Sequence, residues 1–118
     1  MKVWVDDIRT PPLGWVWCKT SEQTLITLRE TKSRFDSGLK HVRIDIMSLD
    51  HDLGGDDTTR PVVLWMCENE YWPEVVKVHS ANPVGIDWLE GMIRRYKPTG
   101  LSGYTFSDNT EVIERYKK

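Results

Sequence analysis

Residues 43–55 read R-I-D-I-M-S-L-D-H-D-L-G-G, an apolar run that passes at once into three ionisable residues and a glycine pair. The run Val42 to Leu49 is nearly continuous in apolar character, which is typical of a central strand in a sheet. The triplet D-H-D at 50–52 follows immediately, although the glycine pair at 54–55 can form a turn without it. The stretch therefore predicts a central strand whose carboxyl end carries either a functional site or a solvated turn.

Outside this stretch, apolar runs alternate with segments of helical spacing. The other predicted strands lie at residues 2–5, 15–18, 75–78 and 101–106. The predicted helices begin behind a cap at Thr20 or Ser21, near Pro61, after Asn82-Pro83 and near Thr110, the last running to Tyr116. Strands that alternate with helices indicate an α/β fold with a mostly parallel sheet of four or five strands.

The connection between the first two strands has no room for a helix. Arg9, Pro11, Pro12 and Gly14 make it a loop. About eight extended residues span about 27 Å, which exceeds the length of a short strand, so a parallel crossover is possible. An antiparallel edge strand is the alternative.

Length and composition indicate an ordinary globular chain. The 118 residues predict a single domain, 1–118, and the net charge of -2 gives no basis for an electrostatic nucleic-acid binder. Cys18 and Cys67 stand far apart in apolar runs, which favours buried, reduced thiols. With neither a membrane span nor a signal peptide in the sequence, we expect a cytoplasmic protein without membrane partners.

Three of the predicted strands end in polar clusters. These are Asp6-Asp7, Asp50-His51-Asp52 and His79-Ser80-Ala81-Asn82. Ligand sites in open parallel α/β sheets lie at the carboxyl ends of the strands, so neighbouring parallel strands would bring the clusters onto one rim. This convergence is stronger evidence than any one cluster, because an Asp after a strand often only caps a turn or a helix.

Three of these acids form a candidate metal site. Asp6, Asp7 and Asp50 would offer the oxygen ligands that Mg²⁺ or Mn²⁺ prefers. Without a cation, crowded carboxylates repel one another, and the pKa of at least one of them should rise. A metal there would also offset the charge of a phosphate group.

The remaining candidates are suited to hold a phosphate ester. Ser80, Asn82 and the backbone near Gly85, at a helix start, would bind phosphate oxygens. Arg9 would clamp the phosphate from the first loop. Trp88, one turn after Gly85, is a candidate platform for a base. These residue types predict a phosphate ligand without specifying which one.

His51 and His79 are the candidates for proton transfer, because imidazole titrates near neutral pH. The alternative for His79 is a core histidine whose hydrogen bonds are satisfied internally. Which histidine would be the acid and which the base stays open at this point. His41 lies in a polar loop and is interpreted as a surface residue.

Three motifs resemble one known family. They are D-D-I-R-x-x-P at 6–12, S-L-D-H-D-L-G at 48–54 and H-S-A-N-P-V-G at 79–85. Together they resemble the cyclic-phosphate processing receiver domains, a family related to response-regulator receiver domains. The resemblance implies a receiver-like (flavodoxin-like) sheet flanked by helices, acids that bind Mg²⁺, and work on cyclic phosphates.

The sequence also departs from ordinary receivers. Their fifth strand ends with a lysine, whereas Lys97-Pro98 stands before the predicted fifth strand here. Their first helix is here reduced to a loop, and histidines beside the acceptor Asp are not ordinary receiver features. These departures argue against phosphorelay signalling.

The expected function is a metal-dependent phosphoesterase, a hydrolase that opens a cyclic phosphate in a cyclic nucleotide, a cyclic oligonucleotide or a 2′,3′-cyclic phosphate RNA end. His51 or Asp52 would activate water, and His79 would protonate the leaving oxygen. Two alternatives stay open. One is a non-catalytic cyclic-nucleotide-binding module, and the other is a receiver domain phosphorylated on Asp50.

Overall fold

The computed structural model describes residues 1–98. Over this range the elements are β1 (Lys2–Val5), β2 (Val16–Cys18), α1 (Ser21–Asp36), β3 (Ile46–Leu49), α2 (Arg60–Asn69), β4 (Val75–Val78) and α3 (Pro83–Tyr96). This alternation confirms the predicted α/β fold. The predicted strand at 101–106 and helix at 110–116 lie outside the described residues.

The described strands form one parallel sheet in the order β2-β1-β3-β4. β2 runs parallel to β1, with Val3 beside Val16, so the crossover is parallel and the antiparallel alternative is wrong. The connection that makes this crossover contains no helix, as predicted. β3 pairs with β1 on one side and β4 on the other, which confirms that it is a central strand.

β3 is shorter than predicted, spanning Ile46–Leu49 rather than Val42–Leu49. Its partner β1 begins at Lys2, opposite Ile46, so little of β1 lies beside the residues before position 46. On the β1 side the Asp45 N–H continues the pairing, to the Met1 carbonyl at 2.8 Å, and on the β4 side the Ile44 carbonyl accepts from the Glu74 N–H at 3.1 Å. Ile44 is nevertheless buried in the core. The apolar run therefore indicated burial correctly, but the strand β3 begins only where its neighbour β1 begins.

The helix starts follow local capping rules. Thr20 caps α1 by accepting a hydrogen bond from the Gln23 N–H at 3.0 Å. Pro61 lies in the first turn of α2, where a missing backbone N–H costs nothing. Asn82 caps α3 by accepting from the Gly85 N–H at 3.1 Å. These contacts place the polar residues after β4 at the start of a helix.

The hydrophobic core lies on one face of the sheet. Val3, Met47 and Val76 lie side by side on β1, β3 and β4, so their side chains point to the same face of the sheet. They form one buried cluster with residues from all three described helices. The neighbouring row of Trp4, Ser48 and Lys77 points to the other face. The three described helices therefore pack on the face of the sheet that carries Val3, Met47 and Val76.

The remaining sequence expectations concern the thiols and the membrane. Cys18 is buried, Cys67 is half-buried, and both are free thiols. None of the helices within residues 1–98 combines the length and apolar character needed to cross a membrane.

Candidate functional site

The polar clusters after β1, β3 and β4 lie together at the carboxyl edge of the sheet. Backbone ladder bonds extend past the strand ends and hold the exits side by side. The Asp50 N–H donates to the Val5 carbonyl at 2.9 Å, and the His79 N–H donates to the Leu49 carbonyl at 2.8 Å. The convergence therefore results from strand pairing, and the side chains at the exits share one rim.

Three carboxylates from two of these exits form a compact acidic cluster. One oxygen each of Asp6, Asp7 and Asp50 lies within 4.8 Å of the others. The turn after β3 closes over them at Gly54, which has φ +89, and a Cβ added there would lie 3.1 Å from Asp7 Oδ2. A positive φ and this close approach both favour glycine at that position.

Asp6 is fully buried and strongly held. Its Oδ1 accepts hydrogen bonds from the backbone N–H groups of Ile8 and Arg9 at 2.8 and 2.9 Å, and its Oδ2 lies 2.9 Å from His79 Nε2. Burial by itself raises the pKa of Asp6, but these hydrogen bonds together outweigh it and hold the pKa below its ordinary value. Asp6 is therefore an oriented, ionised acceptor.

The pKa of Asp50 is shifted in the opposite direction to that of Asp6. Burial raises the pKa of Asp50 above its ordinary value, and the Asp6 charge adds to this, although a hydrogen bond from Ser80 opposes it. One buried and two half-buried carboxylates that repel one another are a donor set that a hard divalent cation satisfies. The acidic cluster therefore fits Mg²⁺ or Mn²⁺.

A cleft of about 460 Å³ opens beside this cluster. The predicted site residues that line it are Asp7, Arg9, Asp50, Asp52, Ser80 and Asn82. Ile8, Gly54 and Ala81 also line it and were not among the predicted site residues, because none of these residue types signals ligand binding in the sequence. The cleft thus combines acids, a hydroxyl, an amide and one guanidinium.

Asp52 stands at the cleft with both carboxylate oxygens engaged. Oδ1 lies 3.0 Å from His51 Nδ1, and Oδ2 accepts from the Asn82 amide at 3.0 Å. These two hydrogen bonds hold the pKa of Asp52 below its ordinary value, with the Asn82 contact the larger cause. Its side chain is 58 % exposed, so the oriented carboxylate faces solvent.

His79 lies behind the cleft and is 3 % exposed. Its Nδ1 lies 2.7 Å from Ser48 Oγ, its Nε2 faces Asp6, and its ring stacks on Trp4 at 4.0 Å between centroids. Burial lowers the pKa of His79, against the opposing effect of Asp6. Trp4 therefore packs against the His79 ring. Proton donation by His79 to a substrate stays a prediction.

His51 is also buried and has both ring nitrogens engaged. Arg60 Nε donates to His51 Nε2 at 2.9 Å, while Nδ1 faces Asp52. A Cβ added at Gly85 would lie 2.7 Å from His51 Cδ2, so the ring packs directly on the first turn of α3. The Arg60 guanidinium in turn lies 4.8 Å from the centre of the Trp88 ring.

Five of the predicted site residues do not line the cleft: Asp6, His51, His79, Gly85 and Trp88. Three of the five, Asp6, His51 and Gly85, each form a hydrogen bond to a residue that does line it. His79 contacts Asp6, and Trp88 lies against Arg60. Sequence reasoning missed Ser48 and Arg60, their partners. Ser48 had a signal, because it is a polar residue inside an apolar strand, whereas Arg60 had none.

Two tryptophans hold the loop that carries the first acids. Trp4 Nε1 donates to the Arg9 carbonyl at 2.8 Å, and Trp17 Nε1 donates to the Asp6 carbonyl at 2.7 Å. Since the connection between β1 and β2 lacks a helix, these indole contacts replace helical hydrogen bonds in fixing it. The loop can therefore present Asp7 and Arg9 to the cleft.

Lys97 lies at the other end of the molecule. It lines a separate cleft with Ile44 and Glu74, which precede β3 and β4. These residues mark the amino edge of the sheet, opposite Asp50. Lys97 therefore does not take the position of a receiver lysine beside the acids.

A parallel α/β sheet with acids after β1 and β3 and a hydroxyl after β4 defines a receiver-like domain. Residues 1–95 match the family described as the cyclic-phosphate processing receiver domain, and the chain belongs to this family. Neither the curated proteins nor the solved structures contain a significant match to this chain.

Proposed function

We propose that this protein is a metal-dependent phosphoesterase that opens a cyclic phosphate. The substrate is a cyclic nucleotide, a cyclic oligonucleotide or a 2′,3′-cyclic phosphate RNA end. The observation that carries the proposal is the placement of the acidic cluster of Asp6, Asp7 and Asp50 beside a cleft whose other polar groups suit a phosphate ester. The description of the family names the processing of cyclic phosphates, which supports the proposed class of substrate.

The acidic cluster explains why a metal is needed. Asp6, Asp7 and Asp50 would hold Mg²⁺ or Mn²⁺, which when bound would offset the phosphate charge and polarise its oxygens. Among the cleft-lining residues within 1–98, Arg9 is the one cationic side chain. A phosphate entering without a cation would therefore meet mainly like charge.

The other cleft residues position the ester and its attacking water. The Ser80 hydroxyl, the Asn82 amide and the Arg9 guanidinium would bind phosphate oxygens. Asp52 is an oriented carboxylate at the same cleft and would take a proton from water as the water oxygen bonds to phosphorus. The ring P–O bond then breaks, and the leaving oxygen takes a proton from solvent, so that one water adds across one ester bond.

The test is an incubation of the full chain with cyclic mononucleotides, cyclic oligonucleotides and RNA ending in a 2′,3′-cyclic phosphate. Each is run with Mg²⁺, with Mn²⁺ and with chelator, and the free and bound fractions are analysed by mass spectrometry. We expect a product heavier by one water that is lost with chelator and in Asp50→Asn. Asp56→Asn is the matched control, because Asp56 is exposed in the same turn and does not line the cleft.

Two other outcomes would contradict the enzyme. A ligand that is depleted from solution yet recovered intact after denaturation would make the protein a binding module. A stable phosphoryl group on Asp50 after acetyl phosphate treatment, without turnover of cyclic substrates, would make it a receiver. The position of Lys97 at the opposite edge of the sheet argues against this last outcome.

A further inference from the structure

We propose that His79 and His51 are positioning residues, each holding one carboxylate of the site, and that neither passes a proton to the substrate. His79 orients Asp6 and His51 orients Asp52. The expected effect of the two histidines on turnover rests on the proposed function. Its geometry stands on contacts within the protein.

His79 is fully committed to internal partners. An ionised Asp6 can only accept, so His79 Nε2 carries the proton it donates across 2.9 Å to Oδ2. Nδ1 of the neutral ring then accepts from the Ser48 hydroxyl at 2.7 Å. The ring face is covered by Trp4 at 4.0 Å. No ring nitrogen is left for a substrate, and the ring adds a third donor to the two backbone N–H groups on Asp6.

His51 has the opposite tautomer and a parallel role. Arg60 always donates, so His51 Nε2 accepts from it at 2.9 Å and Nδ1 carries the proton. That proton points to Asp52 Oδ1, 3.0 Å away. The ring is 5 % exposed and rests on the first turn of α3 at Gly85. His51 therefore supports the exposed carboxylate from behind.

This arrangement gives two predicted ligand contacts a different role. Gly85 leaves room for the His51 ring, and Trp88 supports the Arg60 guanidinium that fixes the His51 tautomer. Partners that orient a metal-binding or catalytic carboxylate in this way typically change affinity or activity by about 10- to 100-fold when removed.

The first experiment compares His79→Gln with His79→Leu by Mn²⁺ titration of the full chain, using calorimetry. Gln carries an amide N–H near the position of Nε2, whereas Leu has no donor. We expect Leu to weaken Mn²⁺ binding by about 10- to 100-fold and Gln to restore most of it. His41→Leu is the control, since His41 is exposed in a loop. Equal Mn²⁺ affinity in the Leu variant and the wild type would overturn the role of His79.

The second experiment compares His51→Asn with His51→Leu by kcat and KM. The Asn amide N–H lies near the position of Nδ1, so we expect it to restore most of the kcat that Leu loses, with KM little changed. An inactive Asn variant with an unchanged thermal midpoint would show that His51 itself transfers the proton. The same result for His79→Gln with intact Mn²⁺ affinity would show the same for His79.

A spectroscopic test needs neither metal nor turnover. It uses the wild-type chain, so it remains informative even if a Leu variant fails to fold. ¹⁵N NMR of the imidazoles in the wild-type chain should show the proton on Nε2 of His79 and on Nδ1 of His51. The reverse tautomers would overturn the proposal. The wild type could show these tautomers and bind Mn²⁺ in the titration, yet open no cyclic phosphate. In that case the enzyme proposal fails while the positioning roles stand.

Discussion

At the scale of single residues, Gly85 and the His51 ring share a space that leaves no room for a side chain at position 85. Gly85→Ala would place Cβ 2.7 Å from His51 Cδ2, so the ring or the helix must shift. We expect the free energy of unfolding in urea to fall by about 1–3 kcal/mol, as in other overpacked cores.

Gly91→Ala is the matched control for that substitution. Gly91 is exposed in the same helix, and within the described part of the chain no atom lies within 4 Å of an added Cβ. Since alanine favours a helix interior, this variant should gain about 0.5–1 kcal/mol. A Gly85→Ala variant that unfolds at the same urea concentration as the wild type would contradict the packing described.

Asp50 supplies a prediction about pH in the absence of metal. Its folded-state pKa is raised above the ordinary value of 3.8, so its stabilising contribution is present below that value and is lost as pH rises through the folded pKa. In chelator, Asp50→Asn should therefore have a higher thermal midpoint than the wild type at pH 7, with the gap closing towards pH 4.

Calorimetric melts of the two proteins across this pH range would check the sign. Asp56→Asn removes an exposed charge from the same turn and should leave the midpoint nearly unchanged. Added Mn²⁺ should raise the wild-type midpoint and leave that of Asp50→Asn much less affected. A wild type that is the more stable of the two at pH 7 in chelator would contradict the crowding of carboxylates.

At the scale of elements, the turn after β3 is tied to α1 by a single carboxylate. Asp57 accepts from the Ser21 hydroxyl at 2.6 Å and from the Ser21 N–H at 2.9 Å. It thus satisfies a donor in the first turn of the helix from a position 36 residues away. The contact fixes the loop that carries Gly54 over the acidic cluster.

Asp57→Ala should lower the free energy of unfolding by about 1–3 kcal/mol, because a half-buried N–H and hydroxyl lose their charged acceptor. Urea denaturation would measure this, with Asp56→Ala as the neighbouring control at about ±0.5 kcal/mol. Equal losses in the two variants would show that the Ser21 contact contributes nothing measurable.

At the scale of the whole molecule, the charge distribution predicts how ligands bind. The net charge is -2, and the cleft itself contains three carboxylates and one guanidinium. A phosphate ester therefore gains little from the protein field unless a cation neutralises the acids.

We expect the affinity for 2′,3′-cyclic AMP to be at least about tenfold lower in chelator than with Mn²⁺, a difference of about 1.4 kcal/mol. Calorimetric titration of the Asp52→Asn variant would measure this difference. Asp52 is not a proposed metal ligand, so this variant should stop turnover of the ligand without removing the metal site. Equal affinity with and without Mn²⁺ would mean that the acidic cluster takes no part in binding the phosphate.

The sequence by itself determined the order of strands and helices over residues 1–98 and the residues that gather at the strand ends. Those features follow from hydrophobic spacing and from caps such as Thr20 and Asn82, whose partners lie within three residues along the chain. It did not determine the length of β3, because a strand ends where its neighbour ends.

Only the tertiary structure decided the side-chain geometry of the histidines. His79 meets Ser48 and Asp6 across 31 and 73 residues of sequence, and its ring lies against Trp4. The sequence pattern of a histidine at a strand end is the same whether its ring nitrogens face a cleft or bind partners inside the protein. Which of the two it faces is set by packing between strands, since contacts with distant residues select the rotamer and the hydrogen bonds.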